Sequence, residues 1–333
     1  MLRQEGLIRP WLRDDECNGA ASRRNETAIA AKVLAAMARR LLTGILLLDK
    51  PTGLSSHAAL QQAKTLIGAD KAGHTGSLDP LATGSLPICF GEATKIAGVL
   101  LGARKAYEAV FALGKCTDSD DADGTVLSQR PVPPLKRSMI DSVLASFSGT
   151  LLQRAPVYSA LKHHGEPLYR RARRGENPTP PIRTVHIEAM ELVDWTPSAL
   201  HVRVVCSAGT YIRSLARDIG EAIGCGAHVS RLRRLWVAPF DSAHLVTFSQ
   251  LQGAVNDGYA DQLLLPLAAG LSHIPSIFLD DERLLRFRHG QRLHDLRFPS
   301  GHVAVYRAVD QCPAGLGYVG PDEVLESKRR FNV

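Results

Sequence analysis

Apolar and polar positions along the chain sort into segments of two periods. The run Gly44-Ile-Leu-Leu-Leu-Asp49 is short and apolar and is closed by Lys50-Pro51-Thr52-Gly53. It predicts a buried strand ending in a turn. Ser55 or Ser56 can then cap a helix running through Ile67, with Leu60, Ala63 and Ile67 on one face. Residues 107–114, 182–194 and 200–206 read as strands, and 135–147 as a helix. From about Thr210, Ile212, Leu215, Ile219, Ala222 and Ile223 recur at the spacing of a core-facing helix. Strands and helices mix without a regular βαβ repeat, which predicts an α+β fold. The Pro-containing stretch Leu265–Pro275 reads as a linker, and the residues from Ser276 onward suffice for a small β-rich domain.

Length and composition narrow the class. A chain of 333 residues is too long for one ordinary core and fits one large or two unequal domains. Hydrophobic residues at 45% and charged residues at 22% predict a packed soluble fold. Residues 1–40 stand apart as a charged extension with an Ala-rich run from Ala28 to Ala38, read as disordered or surface-helical. Six cysteines without a C-x-x-C pair argue against a zinc knuckle and suit reduced thiols in a cytoplasm. No stretch approaches the roughly 18 uncharged apolar residues of a membrane helix. The net charge of +7 matters only where cations cluster.

One segment carries unusual chemistry: Gly73-His-Thr-Gly-Ser-Leu-Asp-Pro-Leu-Ala-Thr-Gly84. Its glycines and proline preclude a regular helix or central strand, and the loop presents His74, Thr75, Ser77 and Asp79. Gly114-Lys115-Cys116 does not satisfy the phosphate-loop pattern. Gly76-Ser77-Leu78 lacks the hydrolase elbow, and His74, Ser77 and Asp79 lie too close together for a triad. The stretch Asp118-Ser-Asp-Asp-Ala-Asp-Gly124 has Arg130 where a calcium loop needs its bidentate Glu, so it reads as an acidic surface turn.

The loop GHTGSLDPLATG resembles the active-site loop of the TruB family of tRNA pseudouridine synthases. Five further motifs follow the family in order over residues 44–240. They are Asp49 through Ser56, Lys105-Ala-Tyr107, Ser159 through Tyr169, Cys206 through Arg213, and Gly226 through Arg234. Residues 274–333 resemble, more weakly, the PUA-like C-terminal domain of bacterial members. The resemblance implies a catalytic domain at 41–265, with a central mixed and mainly antiparallel sheet, and a PUA-like RNA-binding domain at 274–333. Residues 1–40 match nothing in the family.

The implied activity is isomerisation of uridine 55 in the tRNA T-arm to pseudouridine, after base flipping and without cofactor or metal. Asp79 would be the nucleophile, Arg213 its ion-pair partner, and Tyr107 a stacking residue able to move a proton. His74, Tyr211 and Leu232 would contact the flipped nucleotide, and Lys50 and Pro51 would buttress the loop. Candidate phosphate contacts are Lys162, Arg170, Arg171, Arg173, Arg174, Arg231, Arg233 and Arg234, with further arginines from Arg283 to Arg297. The implied setting is cytoplasmic, with tRNA as partner, no membrane, and a monomer without an obligatory protein partner. The competing readings are a guide-RNA-dependent synthase acting on ribosomal RNA, a non-catalytic RNA-binding or folding factor, and a hydrolase. The last lacks both a motif and a placed base.

Overall fold

The computed structural model describes residues 40–332, apart from 160, 164, 177, 295 and 296. The extension expected at the N-terminus, residues 1–39, lies outside the described residues, as do the side chains of Lys162, His163 and Pro167.

The first strands are β1 (Gly44–Lys50), β2 (Ala72–His74), β3 (Thr83–Phe90) and β4 (Lys105–Leu113). A small hairpin follows, β5 (Lys115–Thr117) with β6 (Val126–Gln129), and then β7 (Gly149–Arg154). A second hairpin, β8 (Lys162–His163) with β9 (Glu166–Pro167), precedes β10 (Ile182–Thr196), β11 (Ala199–Cys206) and β12 (Ala227–Val237). The C-terminal strands are β13 (Ser276–Leu279), β14 (Gly301–Arg307), β15 (Pro313–Val319) and β16 (Leu325–Arg330).

The main sheet has the order β1-β3-β12-β4-β11-β10-β7, with β2 also on β3. Every pairing is antiparallel except β3 with β12, so the sheet is mixed, as expected from the sequence. That parallel contact needs a glycine. Gly84 has φ +98 and lies so close to β12 that a Cβ would collide with the carbonyl oxygen of Arg234.

Local signals explain the helices nearest the site. Ser55 caps helix Ser56–Ile67 by accepting from the Ala58 amide at 3.1 Å, and Gly68 ends it in a left-handed conformation. Leu60, Ala63 and Ile67 face a core made with Leu46, Leu48, Leu86 and Ile88. Helix Ile212–Ile223 buries Ile212, Leu215, Ala216, Ile219 and Ile223 against Phe111, Val202 and Val204 of the sheet. Ala222, expected on that stripe, is exposed; Ala216 takes the inward position. No helix among the described residues is long and apolar enough to cross a membrane.

The stretch expected to be a linker is packed. Leu265 exchanges backbone hydrogen bonds of 2.9 Å with Ile45, and Leu267 and Leu271 are buried. Residues from Ser276 form a four-stranded sheet, β13-β14-β15-β16, with its own cluster around Leu279, Phe287 and Val305. A second cluster joins this sheet to the main one: Ala304, Tyr306, Leu316 and Phe331 pack with Ile45, Leu47, Ile96 and Leu271.

Phe331 is 1% exposed in that shared cluster. Phe331→Ala should therefore cost about 3–5 kcal/mol, as full truncation of a buried aromatic does. Denaturant unfolding measures this, and a loss below about 0.5 kcal/mol would show that the seam contributes little to stability.

Candidate active site

The loop between β2 and β3 is fixed from below by neighbouring segments. Ser56 does not cap its helix. Its hydroxyl donates to the Leu78 carbonyl at 3.0 Å and accepts from the Leu78 amide at 2.6 Å. The Gly53 amide and the Lys50 ammonium donate to the Pro80 carbonyl, at 2.8 and 3.4 Å. Lys50 also donates to the carbonyls of Pro51 and Leu54, at 2.9 and 2.7 Å. Burial lowers its pKa to about 8, with the Asp79 carboxylate opposing. Lys50 is fully buried and Pro51 is exposed. Arg234 is also buried, and donates to the carbonyls of Ser85 at 2.7 Å and Gly76 at 3.1 Å. Its expected surface contact with phosphate is thereby replaced by one inside the protein.

Asp79 meets Arg213 across this loop. Nη2 of Arg213 donates to Oδ1 of Asp79 at 3.2 Å, and Nε stands 2.9 Å from Oδ2. The Asp79 side chain is 36% exposed and that of Arg213 only 4%, so the carboxylate can be approached while its partner cannot. Burial pushes the Asp79 carboxyl above its ordinary range; Asp121 adds to the effect and Arg213 opposes it. Arg213 also donates to the carbonyls of Ser119 at 2.7 Å and Tyr158 at 2.8 Å, and forms an ion pair with Asp121 Oδ2 at 3.3 Å.

The stretch expected to be an acidic surface turn is internal at its centre and exposed at Ala122 and Asp123. Asp120 and Asp121 are buried, and Asp121 forms a parallel bridge with Val229 of β12. Sequence reasoning missed Asp121 because consecutive acidic residues read as solvated. The cations that neutralise them lie 92 and more residues further along the chain, so no local signal existed.

Tyr107 on β4 is buried beside Leu78 and Leu232, and burial raises its phenol pKa. Leu232 on β12 lies opposite Ala109. Tyr211 immediately precedes helix Ile212–Ile223, its amide donating to Gln153 Oε1 at 2.8 Å, with the Arg183 guanidinium 5.6 Å above its ring. His74 ends β2 half-buried; its Nδ1 accepts from the Gly76 amide at 3.4 Å, and burial lowers its pKa.

The expected basic surface divides. Arg170, Arg173 and Arg231 are exposed, and Arg173 lies over the Tyr169 ring at 5.7 Å. Arg171 pairs with Glu176, Arg174 with Glu166 and Glu176, and Arg233 with Asp49. Arg283, Arg286 and Arg288 are exposed on helix Asp281–Arg288.

The clamped loop and its arginine-held aspartate lie on a mixed sheet, and comparison with known proteins identifies the class as pseudouridine synthases. Residues 64–212 match the model of the TruB family pseudouridylate synthase N-terminal domain. Residues 213–272 match the tRNA pseudouridylate synthase B C-terminal domain, and 275–331 the pseudouridine synthase II TruB C-terminal domain. The chain belongs to the TruB family. It is 57% identical over 294 residues to a tRNA pseudouridine synthase B of Xanthomonas campestris pv. campestris (strain B100), covering 88% of this chain and 95% of that one. A protein of the same name from Burkholderia mallei is 47% identical, covering 87% and 99%. Among solved structures, a chain of a Cbf5-Nop10-Gar1 complex aligns with TM-score 0.69 at 26% identity, over 86% of this chain and 84% of that one.

Arg213→Lys keeps the charge but not the planar fork, so it should lower turnover roughly 100-fold, the size of effect expected from misplacing a catalytic group by about 1 Å. Comparing single-turnover rates at saturating enzyme tests this; an unchanged rate would mean that charge alone suffices.

Proposed function

We propose that this protein isomerises uridine 55 of the tRNA T-arm to pseudouridine with Asp79 as nucleophile. The observation that carries the reading is the Asp79 carboxylate, accessible yet held by a buried guanidinium on a loop clamped from below. The net reaction breaks the bond from N1 of uracil to C1′ and forms one from C5 to C1′. The proton on C5 is lost and N1 regains one, so no oxidant or reductant enters. The target base first leaves its stack, at a cost of a few kcal/mol.

Asp79 supplies the carboxylate that the separating base and sugar require. Arg213 orients it and opposes, without cancelling, the upward push of burial on its carboxyl. Tyr107 offers a ring face to uracil, and its hydroxyl is the candidate proton carrier. Tyr211 and Leu232 complete the walls, His74 contacts the displaced nucleotide, and Lys50 and Pro51 hold the loop. Residues 41–265 carry this chemistry, while 274–333 contribute RNA contacts from outside the pocket. The chain acts without an obligatory protein partner, as a monomer in the cytoplasm. The names of its relatives at 57% and 47% identity favour this free-standing tRNA enzyme over a guide-dependent one.

Asp79→Asn preserves size and polarity and removes the nucleophile, so pseudouridine formation should disappear while RNA affinity persists. Ordinary turnover by this variant would sink the assignment. A second expectation concerns the surface. Neutralising Arg170 and Arg173, which are exposed without an ion pair to Glu166 or Glu176, should weaken RNA binding and flatten its salt dependence. Each lost phosphate contact removes about 0.7–0.9 from the log–log slope. An unchanged slope would place the phosphate contacts elsewhere.

A further inference from the structure

Arg213 and Arg217 stand one turn apart on helix Ile212–Ile223, and each meets one of two consecutive aspartates. Arg213 Nη1 lies 3.3 Å from Asp121 Oδ2, and Arg217 Nη1 donates to Asp120 Oδ2 at 2.9 Å. Arg217 is held on its other sides by Asp218 Oδ1 at 2.9 Å and the Arg154 carbonyl at 3.1 Å. Asp120 sits between the two residues that touch Arg213, since Ser119 gives a carbonyl and Asp121 a carboxylate. Its backbone is left-handed, φ +61, a conformation that only glycine, asparagine and aspartate adopt readily. The turn is fastened to β12 by the Val229 amide on the Asp120 carbonyl at 3.0 Å and the Ala122 amide on the Val229 carbonyl at 2.9 Å. Among these contacts, the Asp120 carboxylate ties the left-handed residue itself to the helix that carries Arg213.

We propose that Asp120 and Arg217 are a positioning pair for the pseudouridine-forming reaction: they hold the turn that seats Arg213, and through Arg213 they set the orientation of Asp79. The inference rests on the function proposed above. Neither residue is among those proposed above to contact the flipped base. The pair acts through the backbone, because displacement of Asp120 moves Ser119 and Asp121 together.

The pair is also sensitive to acid. Burial lifts the Asp120 carboxyl to about 6; Arg217 and Arg213 oppose this, and Asp218 adds to it. The side chain is only 12% exposed. The tie is therefore ionic above pH 6 and weakens as the carboxyl takes up its proton below it.

The test uses the full chain and a T-arm hairpin at saturating enzyme, with single-turnover rates from pH 5 to 8. Asp120→Asn is the informative variant, because asparagine accepts the same left-handed backbone and keeps the size. At pH 7.5 it should be slower than wild type by about tenfold, with unchanged affinity for the hairpin. The wild-type-to-variant ratio should fall towards one below pH 5.5, where the wild-type Asp120 carboxyl is mostly protonated and, like asparagine, uncharged. Arg217→Gln should give the same ratio profile. The two substitutions combined should be no slower than either alone, since both break one tie. A ratio near one at every pH overturns the proposal, and so does a large ratio that does not vary with pH, which would make the pair merely structural. If either variant fails to fold, the other supplies the same profile, and loss of folding in both overturns the positioning role in favour of a stability one. Absence of pseudouridine from wild type would instead overturn the functional reading itself.

Discussion

The buried guanidinium of Arg213 constrains the whole centre. A cation at 4% exposure has lost its water and must recover that hydration from fixed protein groups. It does so from three separate places: the loop bearing Asp79, the turn of Ser119 and Asp121, and the Tyr158 segment. Each contact satisfies the charge and also locates the segment that offers it. Removing one partner of a buried pair typically costs 3–5 kcal/mol, because the remaining charge is stranded. The three segments are thus mutually dependent, and the Asp79 carboxylate is held in a defined geometry while still reachable from outside.

The sheet supplies the frame on which that arrangement depends. β12 lies between β3 and β4, so Leu232, Arg234 and Tyr107 come together by strand register. Arg234 then reaches under the loop to Gly76, while Ser56 and Lys50 secure its other end. The cations beneath the loop bind carbonyls, and of the two carboxylates that meet Arg213, that of Asp79 is the more exposed and that of Asp121 the buried one. The C-terminal sheet shares the cluster on the far side of β1 through Tyr306 and Phe331.

What was legible in the sequence follows the range of the forces involved. Helix Ser56–Ile67 and β1 were readable because their cap, turn and apolar period are local. The Gly73–Gly84 loop stood out because its glycines and proline exclude regular structure, and the family resemblance added the roles expected of Asp79, Tyr107 and Arg213. The burial of Asp120 and Asp121 was not legible, since it depends on arginines brought close by the fold. Arg234 illustrates the same limit: beside Arg231 and Arg233 it reads as surface charge, yet strand alternation turns it inward. The Leu265–Pro275 stretch looked like a linker because its pairing with Ile45 joins residues from opposite ends of the fold.

The long span of these contacts also sets an order in time. Asp79 waits 134 residues for Arg213, and Gly76 waits 158 for Arg234. At synthesis rates of about 5–20 residues per second, the nascent chain would carry the Gly73–Gly84 loop for about seven to thirty seconds before the underlying clamp exists. β1 and β3 can pair early, but β3 keeps an open edge at Thr83 and Gly84 until β12 has been made. During that interval the exposed edge is a site for mispairing, and closing such a distant contact is slow compared with local pairing. The arrangement that makes the finished centre rigid therefore makes it one of the last parts of the main sheet to form.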